Sequence, residues 1–219
     1  MKSNAVILFT RVPVPGKTKT RLYPFLNMEN CCKLHEAFLK DIYEIIVQSD
    51  ADIHICYTPD ENLKDLKVLF PDDTSFFPQK GTDLGIRMHR GISDVLNFGY
   101  KNVLLIGSDI PLLKSCDIEK AFDILKTHDI AVSPADDGGY YLIGMKQPCE
   151  SVFQIHYSTS KVFAQTIEAI KNNGKTYGIG NKLPDIDRKE DLIRLNEILQ
   201  NDHTFICRHT RKLLSSLFS

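Results

Sequence analysis

The sequence predicts an α/β protein with a mixed, mostly parallel sheet, and three observations carry that expectation. Two short runs of apolar residues, Ala5 to Thr10 and Val103 to Ile106, have the length and unbroken hydrophobicity of strands buried on both faces. They alternate with longer stretches whose apolar residues recur every three or four positions, the period of a helix with one buried stripe. Late in the chain "ADDGG" separates two further apolar runs, and its Asp-Gly-Gly chemistry suits a tight reversal that adds one antiparallel pair.

Taken in order, Ala5 to Thr10 is the expected first strand, with β-branched Val6 and Ile7. From Met28 to Ser49 a long helix is predicted by Leu34, Phe38, Ile42 and Ile45, followed by a strand over Ile53 to Tyr57. Asp60 to Phe70 is an expected helix with Leu63, Leu66 and Leu69 or Phe70 inward. Ser75 to Phe77 is a brief strand leading into the loop "QKGTDLG", and Leu84 to Phe98 is helical. "VLLI" then ends at "GSDIP". Ser115 is expected to cap a helix running to Thr127, with Ile118, Ala121, Phe122 and Leu125 facing in.

Ile130 to Ser133 and "YYLIGM" flank the turn, and because Tyr140 and Tyr141 alternate faces, one of them belongs to the core. Ser158 to Asn173 is a helix ending at Gly174, Thr176 to Ile179 is extended, and Arg188 or Lys189 opens another helix. The tail from His203 to Ser219 carries Arg208, Arg211 and Lys212 beside Leu213, Leu214 and Leu217, the pattern of a docked terminal helix rather than a membrane-surface element. With 219 residues, no internal repeat and no linker, the expectation is one domain over 1–219 with a helical tail from about 203.

Composition narrows the function classes. Acids and bases nearly balance, at a net charge of −1, which argues against a broad electrostatic grip on nucleic acid and places any bound phosphate on a small molecule. No apolar stretch has the length of a membrane span or a signal peptide, so the expected location is cytoplasmic, without membrane contact. The six cysteines form no CxxC pair and the histidines show no metal-ligand spacing, so zinc and redox chemistry find no support.

After the first strand, Gly16-Lys17-Thr18 has the look of a phosphate-binding P-loop. The signature needs a glycine five positions before its Gly-Lys-Thr, and Arg11 stands there; Pro13, Pro15 and Pro24 also remove amide donors and disfavour the helix that completes such a cradle. What remains is a loop at the C-terminal edge of a strand, where open α/β sheets bind ligands, carrying Arg11, Lys17, Lys19 and Arg21. That charge suits a polyphosphate; its plain alternative is a solvated basic loop. Asp109, after four apolar residues and Gly107-Ser108, should project into the same crevice as a magnesium ligand, because magnesium takes one or two carboxylates and completes its shell with water and phosphate oxygens. Asp185 or Asp187 offers the second carboxylate, although Asp187, three residues before Glu190, also has capping-box spacing.

"FTRVPVPGKTKTRL", "GTDLGIRM", "GSDIP", "PADDGGYYLIG" and "LPDIDRKEDL", in that order, resemble the bacterial DUF2064 family over most of the chain, from Val6 to about Leu195. The resemblance implies the nucleotide-diphospho-sugar transferase superfamily and its GT-A fold, a Rossmann-like three-layer sandwich around a mixed sheet. Its relatives include molybdenum-cofactor nucleotidyltransferases and phospholactate guanylyltransferases. It further implies a nucleotide-binding loop with Thr10, Arg11, Gly16, Lys19 and Arg21, and a metal held by Asp109 and Asp187. Asp136, Asp137, Gly139 and Tyr141 would floor the acceptor pocket. On the residues alone, Gly81 in "GTDLGIRM" offers a bare backbone to a base or ribose, and Arg87 is a further candidate for the nucleotide site. Arg87 has two readings, a phosphate partner or a partner of Asp83. Where the family pattern has an acid after "GxDxP" and a Trp before "ST", this chain has Leu112 and Tyr157.

The expected activity is a Mg²⁺- or Mn²⁺-dependent transfer from a nucleotide donor to a small-molecule acceptor, with Lys19, Arg21 and Asp109 as the catalytic group. Nucleotidyl transfer from an NTP to a phosphorylated or hydroxyl acceptor stands first, since the cations suit a triphosphate. Glycosyl transfer from a nucleotide-diphospho-sugar stands second, and a nucleotide-binding protein without catalysis is the third reading.

Overall fold

The computed structural model describes residues 3–23, 25–59, 62–202 and 204–218. Seven strands, β1 (Asn4–Thr10), β2 (Asp52–Tyr57), β3 (Ser75–Pro78), β4 (Asn102–Gly107), β5 (Ile130–Pro134), β6 (Tyr140–Met145) and β7 (Tyr177–Ile179), form one sheet in the order β3-β2-β1-β4-β6-β5-β7. Every pairing is parallel except those of β6 with β4 and β5, so one strand alone runs against the rest. That reversal comes from the Asp-Gly-Gly turn between β5 and β6, as the sequence predicts. The result is the α/β, mixed and mostly parallel architecture expected of the chain.

Among the described residues there are seven α-helices: α1 (Met28–Ile46), α2 (Leu63–Lys67), α3 (Leu84–Asn97), α4 (Ser115–Thr127), α5 (Val162–Asn172), α6 (Lys189–Asn201) and α7 (Arg208–Leu217). The strand period of two sorts alternate residues onto opposite faces. Val6, Leu8, Leu104 and Ile106 pack with Leu34, Phe38 and Ile42 of α1, Ile118 and Leu125 of α4, and Leu192 and Leu195 of α6. Ala5, Ile7, Val103 and Leu105 pack on the other face with Met88, Ile92 and Val95 of α3 and Ile170 of α5. Two apolar layers around one sheet explain why the central strands read as continuous hydrophobic runs.

Local chemistry shifts several boundaries from those the sequence predicts. Ser115 is the first helical residue of α4 rather than its cap; the Asp117 carboxylate accepts the Lys114 amide at 2.9 Å instead. Helix α5 begins at Val162, not Ser158, because Ser158 sits at φ +64 and the Phe163 amide bonds to the Gly138 carbonyl at 2.9 Å. At α6 the acid that receives amides is Asp191, which accepts those of Asp187 at 3.1 Å and Arg188 at 2.7 Å, so neither Asp187 nor Glu190 forms the expected capping pair. Helix α2 is shorter than the predicted Asp60–Phe70 segment; its expected first residue, Asp60, lies outside the described residues, as do Pro24 and His203. Tyr141 is the tyrosine of the pair that is fully buried.

The terminal helix docks on α1 through a buried carboxylate. Asp41, fully buried, accepts the amides of His209 at 3.0 Å and Thr210 at 2.8 Å, satisfying donors that the first turn of α7 leaves without helical partners. Leu214 then closes the apolar contact. Asp41→Ala leaves both amides unmet and is expected to destabilise the fold by about 2 kcal/mol, read as a drop of roughly 5 °C in melting temperature by circular dichroism.

Candidate active site

β1 and β4 are parallel neighbours, with Phe9 opposite Gly107, and the chain leaves β1 toward β2 on one side of the sheet but leaves β4 toward β5 on the other. The chain leaves the two strands at a topological switch point, where a crevice forms beyond their C-terminal ends. A cleft of about 740 Å³ opens there, lined in part by Arg21, Asp109, Asp136, Asp137, Tyr141 and Asp187. Residues separated by up to 166 positions in the chain thus share one wall.

The centre of the cleft is an ionic cluster. The Lys19 ammonium lies 2.6 Å from Asp109 Oδ1 and 3.7 Å from Asp187 Oδ1, and donates to the Ile186 carbonyl. Its side chain is only 3% exposed and passes over the Phe38 ring, with Nζ 5.1 Å from the centroid. Lys19 also adopts the left-handed backbone region, at φ 51 and ψ 37. Arg21 approaches Asp187 from the solvent side, Nη1 to Oδ2 at 2.7 Å. The Ile186 amide bonds the Asp109 carbonyl at 2.9 Å, which ties the "LPDID" segment to the end of β4. Burial raises the pKa of Asp109, but the charge and hydrogen bond of Lys19, with His35 and Arg11 nearby, together outweigh it and hold the carboxyl below its usual range.

Behind this cluster, polar side chains fix the end of β1. Thr10 Oγ1 donates to the Arg11 carbonyl at 2.9 Å, and His35 Nε2 lies 3.1 Å from Thr10 Oγ1 and 3.2 Å from the same carbonyl. The buried Gln79 amide donates to the carbonyls of Thr10 at 3.0 Å and Cys56 at 3.2 Å, joining the ends of β1 and β2. Arg11 is exposed on the loop beyond, and Gly16 turns it at φ +85. Gly81 and Arg87 stand apart from the cleft lining. The Arg87 Nε donates to the Gly81 carbonyl at 2.9 Å, while Asp83 caps α3 through the Ile86 amide, so the expected Arg87–Asp83 pairing of side chains is replaced by a loop clasp.

The far wall is built on the turn between β5 and β6. Asp137 accepts the Gly139 amide at 2.7 Å, and the Asp137 amide donates to Asp185 Oδ1 at 3.2 Å. Burial, and next the Asp137 charge, push the Asp185 carboxyl up to about 6. Asp136 is paired with Lys182 at 3.0 Å and approached by Arg194 at 3.6 Å, and the Tyr141 hydroxyl donates to the Asn181 carbonyl at 3.1 Å. Gly138, at φ +89, has no room for a side chain: a Cβ would meet the Ser160 carbonyl at 2.2 Å. That contact presses Ser158, Thr159 and Ser160 against the cleft. Leu112 and Tyr157, at the positions where the family pattern differs, both line it.

Of the expected site residues, Lys19, Arg21, Asp109 and Asp187 form one charged group, and Asp136, Asp137, Gly139 and Tyr141 face it. Thr10 ends β1, and Arg11 and Gly16 belong to the loop beside it. Sequence reasoning passed over His35 and Gln79, whose only signals were a histidine on the buried stripe of α1 and a glutamine directly after β3. Two carboxylates converging on one ammonium, with Asp109 44% exposed to the cleft, are a hard oxygen donor set that fits Mg²⁺ or Mn²⁺. Asp41, Glu44 and His209 also lie close enough together to share a metal, but Asp41 is engaged by the α7 amides and Glu44 by Arg208 and His209.

Fold and sequence together place the chain among nucleotidyltransferase-like transferases. It is 30% identical over 80% of its length to a 2-phospho-L-lactate guanylyltransferase of Methanocaldococcus jannaschii, covering 75% of that protein. A crystal structure of a candidate nucleotide-diphospho-sugar transferase from Desulfovibrio desulfuricans G20 superposes with a TM-score of 0.92 at 32% identity, covering 99% of this chain and 95% of that one. A manganese complex of Rv0371c from Mycobacterium tuberculosis H37Rv shares the fold alone, with a TM-score of 0.53, 13% identity, and coverage of 89% and 98%. The chain belongs to the DUF2064 family, described as uncharacterized proteins conserved in bacteria, whose model matches residues 42–159.

His35 offers a direct measure of how firmly the base of the site is buried. Burial lowers its pKa to about 4, so the ring stays neutral in the fold while the unfolded chain takes up a proton below about 6.5. The unfolded state therefore binds more protons between these values, and stability falls as pH drops from about 6.5 to about 4, by roughly 3 kcal/mol in all. Urea unfolding across this window should show the slope reduced by close to one proton in His35→Gln.

Proposed function

We propose that this protein is a metal-dependent nucleotidyltransferase that moves a nucleotidyl group from an NTP to a small phosphorylated or hydroxyl acceptor. The observation that carries this reading is the convergence of Asp109 and Asp187 with Lys19 and Arg21 at the C-terminal ends of β1 and β4. The guanylyltransferase named above, at 30% identity, supports the same class of reaction. Asp109 and Asp187 would hold Mg²⁺ or Mn²⁺, which when bound supplies charge neutralisation at the phosphates.

In this scheme an acceptor oxygen attacks the α-phosphorus, the bond from that phosphorus to the β-phosphate bridging oxygen breaks, and pyrophosphate leaves. Arg21, Arg11 and Lys19 face the negative charge that grows on the non-bridging and leaving oxygens. Positioning and fixed charge then supply most of the acceleration, and no protein nucleophile is needed. Asp136, Asp137, Gly139 and Tyr141, on the wall opposite, would receive the acceptor.

Glycosyl transfer is the second reading, favoured by the description of the Desulfovibrio structure as a candidate nucleotide-diphospho-sugar transferase. Thermal-shift measurements with each NTP, and with UDP- and GDP-sugars, in Mg²⁺ or Mn²⁺ separate the two. Stabilisation by an NTP only with metal is the expected result; preference for a nucleotide sugar favours glycosyl transfer. Binding indifferent to metal and to Asp109→Ala leaves a non-catalytic nucleotide binder and sinks both enzymatic readings. With an acceptor in hand, Asp109→Asn should lower pyrophosphate release by about 10²-fold or more.

A further inference from the structure

The position of Lys19 is at odds with a simple role as a phosphate ligand. Its side chain is buried, while the carboxylates it binds are 44% and 29% exposed toward the cleft. The same atom of each aspartate, Oδ1, faces the ammonium, and the Ile186 carbonyl and the Phe38 ring complete its surroundings. Asp109 and Asp187 are also the residues that would hold a divalent cation in the cleft. The ammonium holds them together as a cation would, with one positive charge instead of two.

We propose that Lys19 and a divalent cation are alternative partners of the Asp109–Asp187 carboxylate pair, so that metal entry releases the Lys19 ammonium into the cleft. The step is an exchange of noncovalent partners. Lys19 keeps its proton, Asp109 and Asp187 would hold the metal in its place, and the freed ammonium would turn toward the phosphates of a bound nucleotide. The last part rests on the nucleotidyl reading; the exchange itself does not.

Lys19 sits in the left-handed region at φ 51, where its carbonyl accepts the Leu22 amide at 2.9 Å and opens the short 3₁₀ helix Thr20–Leu22. The flexible four-carbon stem of lysine can then move its ammonium without moving this turn. Arg21 stays on Asp187 Oδ2 from the solvent side and keeps that carboxylate in position during the exchange.

The test uses the full chain with manganese alone, without nucleotide or acceptor, so its failure leaves the nucleotidyl reading to its own experiment. Free Mn²⁺ is followed by electron paramagnetic resonance during titration of wild type and Lys19→Gln. Removing the competitor is expected to tighten manganese binding by about tenfold or more, as when a binding-competent state rises from a tenth to nearly all of the population. Equal or weaker binding by Lys19→Gln overturns the exchange and makes Lys19 a support that the metal needs. A second measurement requires no substitution at Lys19. Acetylation of wild-type Lys19, read by mass spectrometry, should be slow without metal and rise severalfold at saturating Mn²⁺, a rise that Asp109→Asn abolishes. Protection that persists at saturating metal overturns the proposal.

Discussion

The parallel pairing of β1 with β4 sets two chain exits side by side, and the site depends on that register. Phe9 lies opposite Gly107, so the cationic loop and the "GSDIP" turn emerge at one level of the sheet. A slip of one residue would turn every side chain of β1 to the other face, moving Val6 and Leu8 out of the layer that packs on α1. The apolar core thereby fixes where the charged residues meet. Packing on both faces is the constraint, and the geometry of Lys19 and Asp109 is its consequence.

Charge within the cleft is arranged in pairs rather than as a patch of one sign. Asp109 and Asp187 share Lys19, Asp187 also holds Arg21, and Asp136 holds Lys182. Asp191 receives the amides that open α6. Asp185 differs: burial first and the Asp137 charge second displace its carboxyl upward, against the opposing pull of the Asp137 amide whose bond it accepts. Such a site offers few uncommitted charges, and a phosphorylated ligand would have to exchange partners with groups already engaged.

The two walls of the cleft have different structural support. On one side Thr10, His35 and Gln79 lock the strand ends with buried hydrogen bonds. On the other, Gly138 allows the β5–β6 turn to press against Ser160, and the Phe163 amide closes that contact. The Desulfovibrio structure at 32% identity superposes over 99% of the chain, so the fold that carries both walls is shared with it. Leu112 and Tyr157 distinguish the second wall here from the family pattern.

The order of strands and helices was legible in the sequence because buried parallel strands and amphipathic helices each leave a period in hydrophobicity, as in "VLLI" and in Leu34, Phe38 and Ile42. Part of the cleft lining was legible for a similar reason: Arg21 and Asp109 come soon after apolar strands and line the crevice at the strand ends, whereas Arg11, Gly81 and Arg87 do not. Helix starts were less so: Asp117 and Asp191 receive the amides of Lys114 and Arg188, residues whose side chains do not signal a cap, and the start of α5 is met by the Gly138 carbonyl, which the fold brings to the Phe163 amide. Which cation meets which carboxylate was set by tertiary structure alone. Lys19 and Asp109 are ninety positions apart by number, and the choice of Lys19 over Lys17 or Arg11, and of Asp187 over Asp185, follows from distances that no spacing records. Sequence determines the chemistry available at a strand end; only packing decides which groups come within 3 Å of one another.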